Sequence, residues 1–204
     1  ILFHAGLSVS SGGYVGVDIF FVISGYLISS IIFQKMKTGN FSILEFYENR
    51  ARRILPALFI VMLACIPFAW IWMNPEQWHE FSESMIWTSL FSSNIFFWIH
   101  SDYFASASEF KPLLHTWSLA VEEQYYVFFP LIVMAFWRFG KKFLYGILTV
   151  IGLLSFALCL YFVNKYSEAN FFLTPSRVWE LLLGVACAAY LIRRNEIGEA
   201  LKPL

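Results

Sequence analysis

The sequence predicts an all-α, polytopic transmembrane helix bundle, and three observations predict it. Of 204 residues, 59% are hydrophobic and 20% aromatic while only 14% are charged, far from the balance of a soluble domain. Several apolar runs have the roughly 20 residues that cross a bilayer core. The positive charge is confined to the connections between certain runs, as it is in membrane proteins with a fixed orientation.

In chain order, Ile1 to Leu7 reads as the last turns of a spanning helix whose beginning lies upstream. Residues 15 to 34, 55 to 73, 117 to 137, 144 to 163 and 177 to 192 are the clear spans. Residues 85 to 99 are different, being short and holding Thr88, Ser89, Ser92, Ser93 and Asn94. Such a segment reads equally as spanning or re-entrant. With no repeat or linker, residues 1 to 204 are expected to form one partial membrane domain, its first helix truncated and its C-terminal helices missing.

Charge orients the spans. The connection from Gln34 to Leu55 carries Lys35, Lys37, Arg50, Arg52 and Arg53, whereas the stretch after Met73 carries Glu76, Glu80 and Glu83. The first is expected in the cytoplasm and the second outside. Arg138, Lys141 and Lys142 make another positive turn, and Arg193, Arg194 and Lys202 a third. All three stay inside if residues 85 to 99 enter and leave on one side, so that Glu76 to His115 faces outward.

The same composition narrows the function classes. Lys+Arg and Asp+Glu balance at 14 each, so no basic field invites nucleic acid. Cys65, Cys159 and Cys187 sit in apolar runs without metal or disulfide spacing, and His79, His100 and His115 lack metal-like spacing. No metal site is expected. Phosphate-loop, nucleophile-elbow, zinc-protease and dinucleotide motifs do not occur.

Ionisable residues at membrane depth cost a few kcal/mol each, so they pair, line wet cavities or do chemistry. His4 and Asp18 flank the Ser8 to Gly13 turn at matched depth and can meet across it. Asp18, Gly25 and Ser29 fall on one helix face, where small residues admit another helix or a ligand. Glu122, Glu123, Arg177 and Glu180 stand at the outer ends of later spans. Each has a plainer reading too: His4 as an interfacial histidine, Asp18 as a partner of the helix dipole, Arg177 and Glu180 as an i, i+3 ion pair, the arginines as positive-inside anchors. A proton-coupled carrier would display a similar set of intramembrane charges.

Four strings add weight. Phe3-His4-Ala5 with the run from Gly12 through Gly16-Val17-Asp18 to Ser24-Gly25-Tyr26-Leu27-Ile28, Phe46-Tyr47 with Arg50-Ala51-Arg52-Arg53 to Leu58, Leu113-Leu114-His115-Thr116-Trp117-Ser118 to Glu122-Glu123-Gln124-Tyr125-Tyr126, and Ser176-Arg177-Val178-Trp179-Glu180 to Gly184 closely resemble the acyltransferase 3 family. That family contains O-antigen and peptidoglycan O-acetylases, and the likeness covers nearly the whole chain. It implies a multi-pass enzyme of the bacterial inner membrane moving an acyl group, usually acetyl, from acetyl-CoA or another acyl-CoA to a hydroxyl of an extracytoplasmic polysaccharide or glycolipid. A C-terminal SGNH hydrolase-like domain often accompanies the family.

Carried over position by position, the resemblance makes His4 the essential histidine and Asp18 the acidic residue of the Gly-Val-Asp motif. Arg50 and Arg53 match the family's arginine motif, while Asn49 departs from it. The family's further arginine, ahead of the histidine, falls before Ile1, which implies that residues 1 to 204 alone are inactive. In these roles His4 is the general base and Asp18 fixes its tautomer. Arg50 and Arg53 suit the diphosphate of coenzyme A, and Glu122, Glu123, Arg177 and Glu180 complete the donor- and substrate-binding candidates.

Overall fold

A computed structural model describes residues 15–100 and 111–200, with side chains as far as residue 194. His4 lies outside the described residues. Among the described residues eight helices follow one another: α1 (Val15–Lys37), α2 (Ile43–Trp72), α3 (Pro75–Ser89), α4 (Ser93–Ile99), α5 (Thr116–Trp137), α6 (Lys141–Val163), α7 (Ser167–Phe172) and α8 (Thr174–Ala200). Five segments of the described residues are long and apolar enough to cross a membrane, namely α1, α2, α5, α6 and the stretch Ser167–Arg194. The polytopic all-α bundle expected from the sequence is the observed architecture.

The spanning helices differ from the sequence expectation chiefly at α2, which begins twelve residues before the expected position 55. Ser42 caps it by accepting from the Glu45 backbone N–H, Lys35 pairs with Glu45 at 2.8 Å, and Arg52 pairs with Glu48 one turn on. Caps and ion pairs carry the helix through a charged stretch in which hydropathy sees no span. Arg50 and Arg53 are therefore helical residues with fixed directions rather than loop anchors.

Residues 85–99 form neither a spanning helix nor one unbroken segment. α3 starts at the capping box of Asn74 and Gln77 and ends at Ser89; Phe91 then takes φ 51°, and α4 runs for seven residues. Of the polar residues that dotted this stretch, Thr88, Ser93 and Asn94 are partners of α5, α7 and α8, while Ser89 and Ser92 bond carbonyls of their own segment. Gln124 donates to the Phe91 carbonyl and to Asn94 Oδ1, both at 2.9 Å, and Asn94 donates to the Phe172 carbonyl at 3.1 Å. Thr174 donates to Gln124, while Thr116 bonds Ser93 and Thr88. A broken helix at membrane depth is tolerated where protein satisfies its backbone and side chains, as here.

Five crossings with α3 and α4 together on one side would put Lys35 and Lys37, Arg138 and Lys141, and Arg193 and Arg194 on one common side, which their charge makes the inner one. A cysteine at His79, which is exposed on α3, is then expected to label from outside with an impermeant maleimide, and one at Lys142 only after permeabilisation. Outside labelling at Lys142 would reverse the orientation.

The main seam of the bundle is α1 against α8, with α6 packing on the other flank of α8. Gly25 and Gly184 make that seam. A Cβ at Gly25 would lie 2.0 Å from the Leu181 carbonyl oxygen, and one at Gly184 would lie 2.1 Å from that of Val22. The two backbones touch, the arrangement that small residues permit between membrane helices. The Gly25 and Ser29 face of α1 thus admits another helix, and that helix is α8.

Candidate functional site

Two polar clusters hang on α1, one near its outer end and one near its middle. Asp18 lies in the first turn of α1, and its Oδ1 accepts from Arg177 Nη1 at 2.9 Å. The same nitrogen donates to Glu180 Oε1 at 2.8 Å, so Arg177 is held between two carboxylates from different helices. Its Nε reaches the Phe171 carbonyl, and its guanidinium lies over the rings of Trp117 and Phe171, 5.9 and 5.5 Å from their centroids. Glu180 is 2% exposed, and its Oε2 is buried without a hydrogen-bond partner. Arg177 and Glu180 are the i, i+3 pair read from the sequence, extended across the seam to Asp18.

The second cluster was not legible as a cluster. Glu122, on the buried face of α5, accepts hydrogen bonds on Oε1 from Ser24 of α1 and from its own i+4 neighbour Tyr126. The Ser24 and Tyr126 hydroxyls also lie 2.6 Å apart. From α2, the Arg50 guanidinium stacks over the Tyr126 ring at 4.1 Å from its centroid, a cation–π contact of about 1 kcal/mol or more when desolvated. Arg50 lies close enough to act electrostatically on both Glu122 and Glu123, and the exposed Arg53 adds its field to Glu122. Tyr47, one turn before Arg50, donates to the Val127 carbonyl at 2.8 Å and ties the start of α2 to α5.

The structure thus joins Arg177, Glu180 and Asp18, and separately Arg50 and Glu122, with Glu123 beside them. Sequence reasoning had set Arg50 in a cytoplasmic loop away from Glu122. Helix α2 carries it upward to meet the carboxylate instead. Ser24 and Tyr126 were missed because single hydroxyls in apolar runs read as packing. The i, i+4 spacing of Glu122 and Tyr126 was the available signal.

Burying an arginine among carboxylates and hydroxyls at membrane depth costs free energy that mere packing would avoid. Both clusters therefore define the chain as a membrane domain with a built polar interior, of the kind that binds or transforms a polar substrate. The chain belongs to the acyltransferase 3 family: the family's Acyltransferase domain profile matches residues 1–203. It is 34% identical over 195 residues to O-acetyltransferase OatA of Staphylococcus aureus strain NCTC 8325, covering 92% of this chain and 32% of that protein. Peptidoglycan O-acetyltransferase OatA of Listeria monocytogenes is likewise 34% identical over 194 residues, with 92% and 31% covered. The chain spans about a third of the length of these curated relatives. No solved structure matches it.

Proposed function

We propose that the protein is an O-acetyltransferase of the bacterial inner membrane, transferring acetyl from acetyl-CoA to a hydroxyl of an extracytoplasmic glycan such as peptidoglycan or lipopolysaccharide O-antigen. The observation that carries this reading is the Asp18–Arg177–Glu180 array at the outer ends of α1 and α8, in a chain of a family whose relatives are named O-acetyltransferases. A hydroxyl acceptor needs a base, and His4 takes that role. Asp18 has one oxygen on Arg177, and the role assigned to its carboxylate is to fix the tautomer of the His4 imidazole and stabilise the imidazolium. Arg177 and Glu180 act as positioning residues that hold Asp18.

The donor approaches from the opposite side. Arg50 and Arg53 sit in the inner part of α2; Arg50 is stacked on Tyr126 with its Nε buried and without a hydrogen-bond partner, and the planar fork of a guanidinium matches a phosphate. These two arginines receive the diphosphate of the coenzyme, with Glu122 and Glu123 beyond them. Arg50→Lys keeps charge but loses both fork and stack, so the KM for acetyl-CoA is expected to rise about 3- to 30-fold. An unchanged KM would remove Arg50 from donor binding.

The reading as a whole is tested with the full-length protein in proteoliposomes. Acetyl-labelled coenzyme A supplied on the inner side is expected to yield acetylated glycan on the outer side. Labelled substrate crossing unchanged, with no ester formed, would favour a carrier instead.

A further inference from the structure

The second cluster contains more than donor binding requires. Ser24 donates to a carboxylate, that carboxylate is held by a tyrosine hydroxyl, and an arginine is stacked on the tyrosine. A hydroxyl bonded to a base that a third group orients is the signature of an activated nucleophile. Ser24 is 7% exposed, and it lies about 13 Å below the start of α1 and about 20 Å above its end. That is an intermediate depth between a donor side and an acceptor side.

Resting on the acetyl-transfer reading above, we propose that Ser24 is a catalytic nucleophile that carries the acetyl group as an ester in mid-membrane. In the first half-reaction Ser24 Oγ bonds to the thioester carbonyl carbon while its proton passes to Glu122. The C–S bond then breaks, and the thiolate takes that proton and leaves as free coenzyme A thiol. Tyr126 supplies a hydrogen-bond donor for the oxyanion formed on the way, once Glu122 has taken the proton. In the second half-reaction the acceptor hydroxyl oxygen bonds to the same carbonyl carbon and gives its proton to His4. The ester bond to Ser24 breaks, and the proton returns to Oγ. Nothing is oxidised or reduced, and the acetyl group crosses in two short steps rather than one long one.

The test incubates the full-length protein with [14C]acetyl-CoA and no glycan acceptor, quenches it in acid and maps labelled peptides. Label is expected on the peptide containing Ser24, and it should build up further in His4→Ala, where the second half-reaction is blocked. Ser24→Ala should lose both the label and at least 100-fold of the transfer rate. Ser24→Cys, close in volume, should carry a thioester that neutral hydroxylamine removes, whereas the wild-type ester resists it. Transfer to glycan by the wild type with no label on that peptide, or by Ser24→Ala at an unchanged rate, overturns the relay while leaving acetyl transfer standing. If the wild type transfers no acetyl group to any acceptor, the broader reading falls and the relay falls with it.

Discussion

Asp18→Asn in the full-length protein is expected to lower acetyl transfer by about 10²- to 10⁴-fold, the usual cost of losing a general base or the residue that orients it. Expression and membrane insertion should be unaffected. Asp18 is partly exposed, and an amide of the same shape can still accept from Arg177. His4→Ala should show a similar loss, and the double variant should be no worse than His4→Ala, because the two side chains act as a unit. Arg177→Ala should behave differently. It strands Glu180, 2% exposed, without its cation, and breaking a buried pair from one side typically costs about 3–5 kcal/mol. That variant should be recovered in low yield. A well-expressed Asp18→Asn protein with near-normal turnover would end the catalytic assignment, and it would leave the outer array a structural clasp.

The other large effect concerns folding alone. Gly25→Ala and Gly184→Ala each drive a Cβ to about 2 Å from backbone atoms of the opposing helix, and backbone, unlike a flexible side-chain end, cannot turn aside. Overpacking of this kind costs about 3 kcal/mol or more, so both variants should show little monodisperse protein and a sharply lowered Tm. Gly146→Ala is the control, since nothing lies within 4 Å of its added Cβ, and alanine there should be neutral or slightly stabilising. Equal melting of Gly25→Ala and wild type would show that the α1–α8 seam opens easily.

How much of this was legible beforehand depended on the kind of signal. Length and lack of charge gave both ends of α5 and α6 and the C-terminal end of α1 to within three residues, because burial in lipid imposes one requirement on every position. The face formed by Gly25 and Ser29 followed from helical periodicity, although its partner did not, since nothing in one helix names the helix it meets. The start of α2 was misplaced because hydropathy ignores Ser42 and Glu45, three residues apart in the pattern of a capping box. Recognising that pattern would have put Arg50 on a helix. Its meeting with Glu122 and Tyr126 is a long-range fact that local spacing does not contain. The double variant reads whether His4 and Asp18 act together.

The glycine seam also bears on motion. Two helices whose backbones touch cannot slide past each other without first separating, so the seam is expected to keep α1 and α8 together and the outer array in place. α2 is different: its contacts with the rest of the bundle are few, and its hold on α5 includes one tyrosine hydrogen bond and one stacked arginine. Any displacement that opens the second cluster is expected to fall to α2, the helix that bears Arg50 and Arg53. The seam of α1 and α8 is the spine of the bundle, and among the spanning helices α2 is held to it most lightly.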